Sequence, residues 1–389
     1  MSNLSEHIAI TDSETLDEVM NCLSKHINIS TQGAYNQDYL LKILVKAASI
    51  GDTIENTIKS LKEVSSSNTI RYHLNKLDNF DDLEKSLNSA LKSPLLSQLK
   101  KPRLRLAIDF NLIPYYGEPS LEELPYIYRS EAKLGTCSFY AYATLCIIDN
   151  NKRFTVAIRA VRKKETIVAI LTYLLAELDG DNLQIKKLYL DRGFFTVSVI
   201  RWLQALDIPF SMPAIRRGKK GGINQFLIGR KSYKTTYTMT SKQGDSVLGG
   251  YPATLTFELA IICKYRKGKR KRNGIEYLVY VIYKLPTSLN HIHQDYRKRF
   301  GIETSYRLKN VCRIRTTTKN PIARLLFVGI SFVLVNIWIN LLWRKVSQPR
   351  QGGRLIYRSF FPLKQMLSFL NQVIDKEFTL IRDIYIPSG

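Results

Sequence analysis

The sequence predicts a mixed α+β and α/β protein: a helical N-terminal region, an α/β core, and a β-rich insertion within that core. Three observations carry this reading. Residues 1 to about 95 keep apolar positions at three- and four-residue intervals, the period of an amphipathic helix. From RLRLAIDFNLI onward, runs rich in β-branched and aromatic residues alternate with helical stretches. Between about 216 and 288 that alternation stops, and strand-like segments follow one another, separated by glycine and a basic run.

The elements follow in order. DTIENTIKSLKEVSSSNTIRYHLNKL reads as two helices joined by a serine-rich turn, with Ser67 as an N-cap and Ile70, Leu74 and Leu77 as the inward stripe. Asn68, Arg71, Tyr72, Asn75 and Lys76 then face outward, a set able to meet phosphates and base edges as in a helix-turn-helix. RLRLAIDFNLI, CSFYAYATLCIID and RFTVAIRAV read as three strands. ETIVAILTYLLAELDG is a helix with a glycine stop, IKKLYLD a strand, TVSVIRWLQALD a helix and IPFSMPAI a short strand. KSYKTTYTMT, YPATLTFELAIICKYR and GIEYLVYVIYKLP are the insertion strands, and helices return from about 291. QGGR reads as a loop before a closing helix in FFPLKQMLSFLNQVIDKEF. The resulting division is 1–98 helical, 99–215 first part of the core, 216–288 insertion, 289–349 core helices and 350–389 C-terminal helical tail.

Composition narrows the partners. The chain of 389 residues has a net charge of +25, and a surplus of that size favours a polyanion, most often nucleic acid. Residues 1–100 carry 10 Lys and Arg against 13 Asp and Glu, while the remainder carries 48 against 20. The polyanion surface therefore belongs to the last three quarters. Its densest run is KYRKGKRKRNG, where Lys269 and Arg270 are candidate DNA contacts. Five scattered cysteines without a C-x-x-C pair argue against a disulfide framework or zinc finger. MSNLSEHIAITDSE lacks the basic start and apolar core of a secretory signal, so a cytoplasmic protein is expected. LLFVGISFVLVNIWINLLW is long enough to cross a bilayer, but Ser331, Asn336 and Asn340 interrupt it, so a buried core helix is expected instead. His291 and His293 have no matching third metal ligand in the sequence.

The acids that carry chemistry are few. Asp109 ends RLRLAIDF and Asp191 ends IKKLYLD, each the lone carboxylate where a buried strand gives out. A charge there is costly unless paired or metal-bound. Glu303 sits in QDYRKRFGIETSYRLKN among Arg297, Lys298, Arg299, Arg307 and Lys309. Three hard oxygen donors from separate elements can hold one or two divalent ions, an arrangement suited to phosphoryl transfer.

At these residues the chain resembles the DDE transposases of bacterial and archaeal insertion sequences, whose catalytic domain has a ribonuclease-H-like fold. AIDFNLIPYYG resembles the first-strand motif with Asp109, and LYLDRGFF the fourth-strand motif with Asp191 and the following Arg192. Tyr296, Arg299 and Glu303 match Y-x2-R-x3-E-x6-K, the third motif of the subgroup with a β-rich insertion. The lysine of that pattern is Asn310 here, with Lys309 one place early. On a continuous helix Tyr296, Arg299, Glu303, Arg307 and Asn310 share a face, so Arg307 and Lys309 both remain candidates for the missing cation.

The resemblance covers about residues 100–345 and implies a ribonuclease-H-like core. It implies Asp109, Asp191 and Glu303 as ligands of Mg²⁺, with Mn²⁺ as a substitute. Tyr296, Arg299, Arg192 and either Arg307 or Lys309 would grip DNA. It further implies binding to terminal inverted repeats, cleavage at the 3′ end, joining to target DNA and a homodimer on paired ends, without membrane association and at the nucleoid of a prokaryote. The alternatives are an inactive DNA-binding relative, a nuclease without joining, and a membrane-anchored basic protein.

Overall fold

The computed structural model describes residues 9–33, 35–95, 103–149, 152–178, 184–244, 252–265, 268, 274–285, 287–351 and 353–381. Its centre is one mixed sheet. Strands β1 (Arg103–Pro114), β2 (Ile127–Lys133), β3 (Thr136–Asp149) and β4 (Lys152–Ala160) form its first half. β1 and β2 both pair antiparallel with β3, and β4 pairs β3 beyond β2 on the same edge. After helix α6 (Ile167–Ala176), β5 (Gln184–Leu190) returns parallel to β1. Helix α7 (Val197–Ala205) then leads to β6 (Phe210–Pro213), parallel to β5.

The sheet does not end there. Strands β7 (Tyr233–Gly244), β8 (Pro252–Tyr265) and β9 (Ile275–Tyr283) form an antiparallel meander, and β9 pairs with β6 from Phe210–Tyr283 to Pro213–Tyr280. The insertion thus prolongs the core sheet in the order β5-β6-β9-β8-β7. Antiparallel pairing needs only a turn, so a meander can be added to an edge strand without disturbing the parallel crossovers.

The apolar runs of β1, β3, β4 and β5 form strands as expected. β2 is an addition: IYRSEAK buries only Ile127 fully and shows its charged residues to solvent, so it lacks the apolar signal of a core strand. A second addition is a short hairpin of β10 (Ser347–Arg350) and β11 (Gly353–Ile356), where the QGGR loop is the tip.

The helices enclose the sheet and join the two chain ends. α1 (Asp12–His26), α2 (Gln37–Ile50) and α5 (Phe80–Lys92) pack with α10 (Pro321–Lys345) and α11 (Leu363–Phe378). A buried Lys46 on α2 reaches Asn371 and Asp375 on α11. Between them lie α3 (Ile54–Lys59) and α4 (Ser67–Leu74). The cap of α4 is Ser66, whose Oγ accepts from Thr69 N–H, while Ser67 turns to Glu55. The cap therefore lies one residue before the expected Ser67, which is drawn into the α3–α4 contact.

α10 is, among the described residues, the one helix long and apolar enough to cross a membrane, and its apolar window is wholly buried within the fold. Its polar interruptions are fasteners. Asn336 Nδ2 donates to Leu91 C=O at 3.0 Å and Thr155 C=O at 2.7 Å, and its Oδ1 accepts from Thr155 N–H at 3.2 Å. Ser331 Oγ donates to Cys312 C=O at 2.9 Å. At Gly329 an added Cβ would meet Leu87 Cδ2 at 2.4 Å, so glycine sets the approach of α5 to α10.

Asn336→Leu should destabilise the protein by about 2–4 kcal/mol, since it strands buried backbone groups on β4 and α5. Leucine adds apolar surface and helix propensity, so the sign is decisive. Urea denaturation showing equal or greater stability would refute this assignment of Asn336.

Candidate active site

Two acids are brought together by strand register. β1 and β5 run parallel with Ile108 opposite Leu190. The next residue on each chain is therefore Asp109 and Asp191, side by side where β5 ends and a 3-10 turn (Arg192–Phe194) begins. Asp109 Oδ1 also accepts from Phe110 N–H at 2.9 Å. The third acid comes from helix α9 (Gly301–Val311), which packs on β1, β3 and β4.

The three carboxylates meet at one guanidinium. Arg299 Nη1 lies 3.0 Å from Asp109 Oδ2, and Nη2 lies 3.4 Å from Asp191 Oδ1 and 3.3 Å from Glu303 Oε1. Arg299 is nearly buried, whereas the side chains of Asp191 and Glu303 are 44% and 39% exposed. The cluster thus has a closed back at Asp109 and an open front. Burial pushes the Asp109 carboxyl up to about 6, with Arg299 opposing the rise and Asp191 adding to it.

The donor set fits a divalent ion by its chemistry: three carboxylates, all hard oxygen ligands, two of them partly open to solvent. Arg299 Nε is buried without a hydrogen-bond partner, so the guanidinium incompletely satisfies the position it fills. The carboxylates surround a cation larger than a metal ion, and among the described residues no three His, Cys, Asp or Glu side chains stand at metal-ligating separation.

The expected DNA grips divide by location. Helix α8 (Ile292–Tyr296) is followed by a 3-10 turn (Arg297–Phe300) before α9. This break changes the phase on which a single shared face depended. Tyr296 is buried and its hydroxyl donates to Leu190 C=O at 3.1 Å, bracing the residue before Asp191. Lys309 is also buried, its Nζ 3.4 Å from Asn111 Oδ1 on β1, and burial pushes its pKa down to about 7. Tyr296, Arg299 and Lys309 are thus all buried, Tyr296 against the end of β5, Arg299 among the three acids and Lys309 against β1. Arg307 and Arg192 are exposed near Glu303 and Asp191. Arg71 is exposed on α4, 3.2 Å from Glu55, and stands apart from the acid cluster. Lys269 and Arg270 lie outside the described residues.

Two supports escaped sequence reasoning. Tyr306 shares a 2.6 Å hydrogen bond with Thr144, the residue opposite Asp109 in the β1–β3 register. Its signal was its place three residues after Glu303. Lys187 on β5 forms a buried ion pair with Asp295 on α8, tying the strand of Asp191 to the helix before Arg299. Neither partner carries a sequence pattern that names the other.

Asp109 keeps its proton to about pH 6 in the fold but titrates from the ordinary value of 3.8 when unfolded. The folded state therefore binds the extra proton between those values, and the stability it contributes is lost as pH rises. Without metal, the stability of the wild type relative to Asp109→Asn should therefore fall from pH 4 to 6, read from paired denaturation midpoints. Arg299→Ala should cost about 2–4 kcal/mol in the absence of metal, with the loss shrinking when Mn²⁺ is added. An equal loss with and without Mn²⁺ would argue that no ion takes over the charge.

Residues 100–337 match the family model described as "Transposase DDE domain". No curated protein matches the sequence. Among solved structures, a piggyBac transposase synaptic complex with hairpin DNA is similar at TM-score 0.54 and 14% identity, covering 96% of this chain and 78% of that one. That likeness supports the ribonuclease-H-like reading of the mixed sheet and its helices. With the family model spanning more than half of the chain, the protein belongs to the DDE transposase family.

Proposed function

We propose that the protein is an active transposase that binds transposon ends, cleaves the phosphodiester at the 3′ end and joins that end to target DNA. The observation that carries this is the convergence of Asp109, Asp191 and Glu303 on one buried cation from three separate elements. Paired divalent ions, Mg²⁺ with Mn²⁺ as a substitute, would supply an activated attacking oxygen and charge stabilisation at the leaving one.

The chain's own groups do the rest. Asp109, Asp191 and Glu303 would hold the ions, with Asp109 fixed from behind by Phe110 N–H. Tyr296 fixes the end of β5 through Leu190, so that Asp191 keeps its level beside Asp109. Arg299 balances the three negative charges until the site is loaded. The exposed Arg192 and Arg307 flank the open side and grip phosphates on the substrate strand. Helices before residue 98 form an end-binding part with α4 outward, residues 99–215 and 289–349 the catalytic core, and 216–288 a DNA-contacting insertion. Two chains on paired ends, at the nucleoid, complete the assembly we infer.

Asp109→Asn should lower strand cleavage by at least about 1000-fold, on the order of 4 kcal/mol in the barrier, while duplex binding is retained. Cleavage at wild-type rate would remove Asp109 from the reaction. A pre-cleaved 3′ end supplied with plasmid target tests the joining step. Hydrolysis without joined product would leave a metal-dependent nuclease in place of a transposase.

A further inference from the structure

The segment that follows α9, residues 313–320 (RIRTTTKN), has no regular secondary structure, yet it is held firmly. Arg315 N–H donates to Asp52 C=O at 3.1 Å, and Arg324 Nε donates to Thr318 C=O at 2.7 Å. The hydroxyls of Thr316 and Thr318 accept from the N–H two residues on, at 3.0 and 3.2 Å. Asn320 Nδ2 reaches Asn75 at the end of α4 at 3.2 Å. With the inward hydroxyls spent on the backbone, exposure alternates: Arg315, Thr317 and Lys319 are exposed, while Thr316, Thr318 and Asn320 are half-buried.

Arg315, Thr317 and Lys319 are thus the exposed side chains, at every second residue of the strap. The order cation, hydroxyl, cation supplies a donor at each step. Between this strap and α4 lies a cavity of about 350 Å³, lined by Arg71, Leu74, Asn75, Arg315, Thr317 and Phe327 among others. Nearby carboxylates are already engaged. Asp52 accepts from Thr53 N–H and Asn56, with Arg315 a smaller influence, and Glu55 pairs with Lys59 and Arg71. Among the described residues neither Arg315 nor Lys319 has a carboxylate at ion-pair distance.

We propose that the 313–320 strap is a backbone-binding site for duplex DNA, gripping consecutive phosphates of one strand beside the outward face of α4. It rests on the reading that the chain binds DNA and adds a site to it. The strap continues directly from the helix that carries Glu303. The preformed backbone also lowers the ordering cost that a flexible basic tail would meet on binding.

The test is fluorescence anisotropy of the full chain with a labelled 30-base-pair duplex of arbitrary sequence, across about 50–300 mM salt. Arg315→Ala/Lys319→Ala should weaken binding about tenfold at intermediate salt and reduce the slope of log K against log salt by about 1.8, two phosphate contacts. Lys364→Ala/Lys376→Ala, equal in charge and exposed on α11, should leave the slope unchanged. Wild-type slope in the strap variant would overturn the site while leaving DNA binding intact. An equal loss in both variants would also overturn it, as a general charge effect. Failure of the wild-type chain to bind the duplex would overturn both the site and the DNA reading beneath it.

Discussion

The structure depends on one pairing, β1 beside β5 in parallel with Ile108 opposite Leu190. A parallel pair cannot be closed by a hairpin, so the chain must travel out through β2, β3, β4 and α6 before returning. That journey builds half of the sheet. It also sets two carboxylates at one level, and like charges that close resist ionisation together. The arrangement is tolerable only with a positive charge between them. Arg299 provides that charge from the opposite end of the sequence, which explains why α8 and α9 must dock on the same sheet.

The docking is overdetermined. Tyr296 holds Leu190, Asp295 holds Lys187, Tyr306 holds Thr144, and Lys309 holds Asn111. Each links the α8–α9 segment to a strand that carries, or faces, an acid. A site that must hold several oxygens within fractions of an ångström needs such supports more than it needs further ligands. The helical shell extends the same logic. α10 lies under α9 and is pinned by Asn336 to β4 and α5, while α11 ties α2 to the C-terminal part. The N-terminal helices are therefore held to the core at both ends of the chain.

Much of this was legible in the sequence where burial leaves a pattern. β1, β3, β4 and β5 announced themselves by apolar runs, Asp109 and Asp191 by being acids where acids are costly, and Glu303 by its place among bases in the third motif. The family relationship was carried by those same residues. β2 left no such mark because an edge strand with one buried residue needs little apolar content. The orientation of Tyr296 was hidden for a different reason. Periodicity assumes an unbroken helix, and the 3-10 turn at Arg297–Phe300 shifts the phase without a proline or glycine inside it to signal the change. Ion pairs such as Lys187–Asp295 were illegible because charge complementarity between distant elements has no one-dimensional signature.

The partition of positive charge follows from these contacts. Arg299 and Lys309 lie in the α8–α9 segment that sequence composition counts as part of a polyanion surface, yet both are buried and turned inward. Arg299 neutralises the protein's own carboxylates, and Lys309 sits in a site where burial weakens its charge. Net charge therefore overstates the positive charge that the α8–α9 segment shows to solvent. For the DNA contacts proposed above, the cations available are exposed ones such as Arg192, Arg307, Arg315 and Lys319.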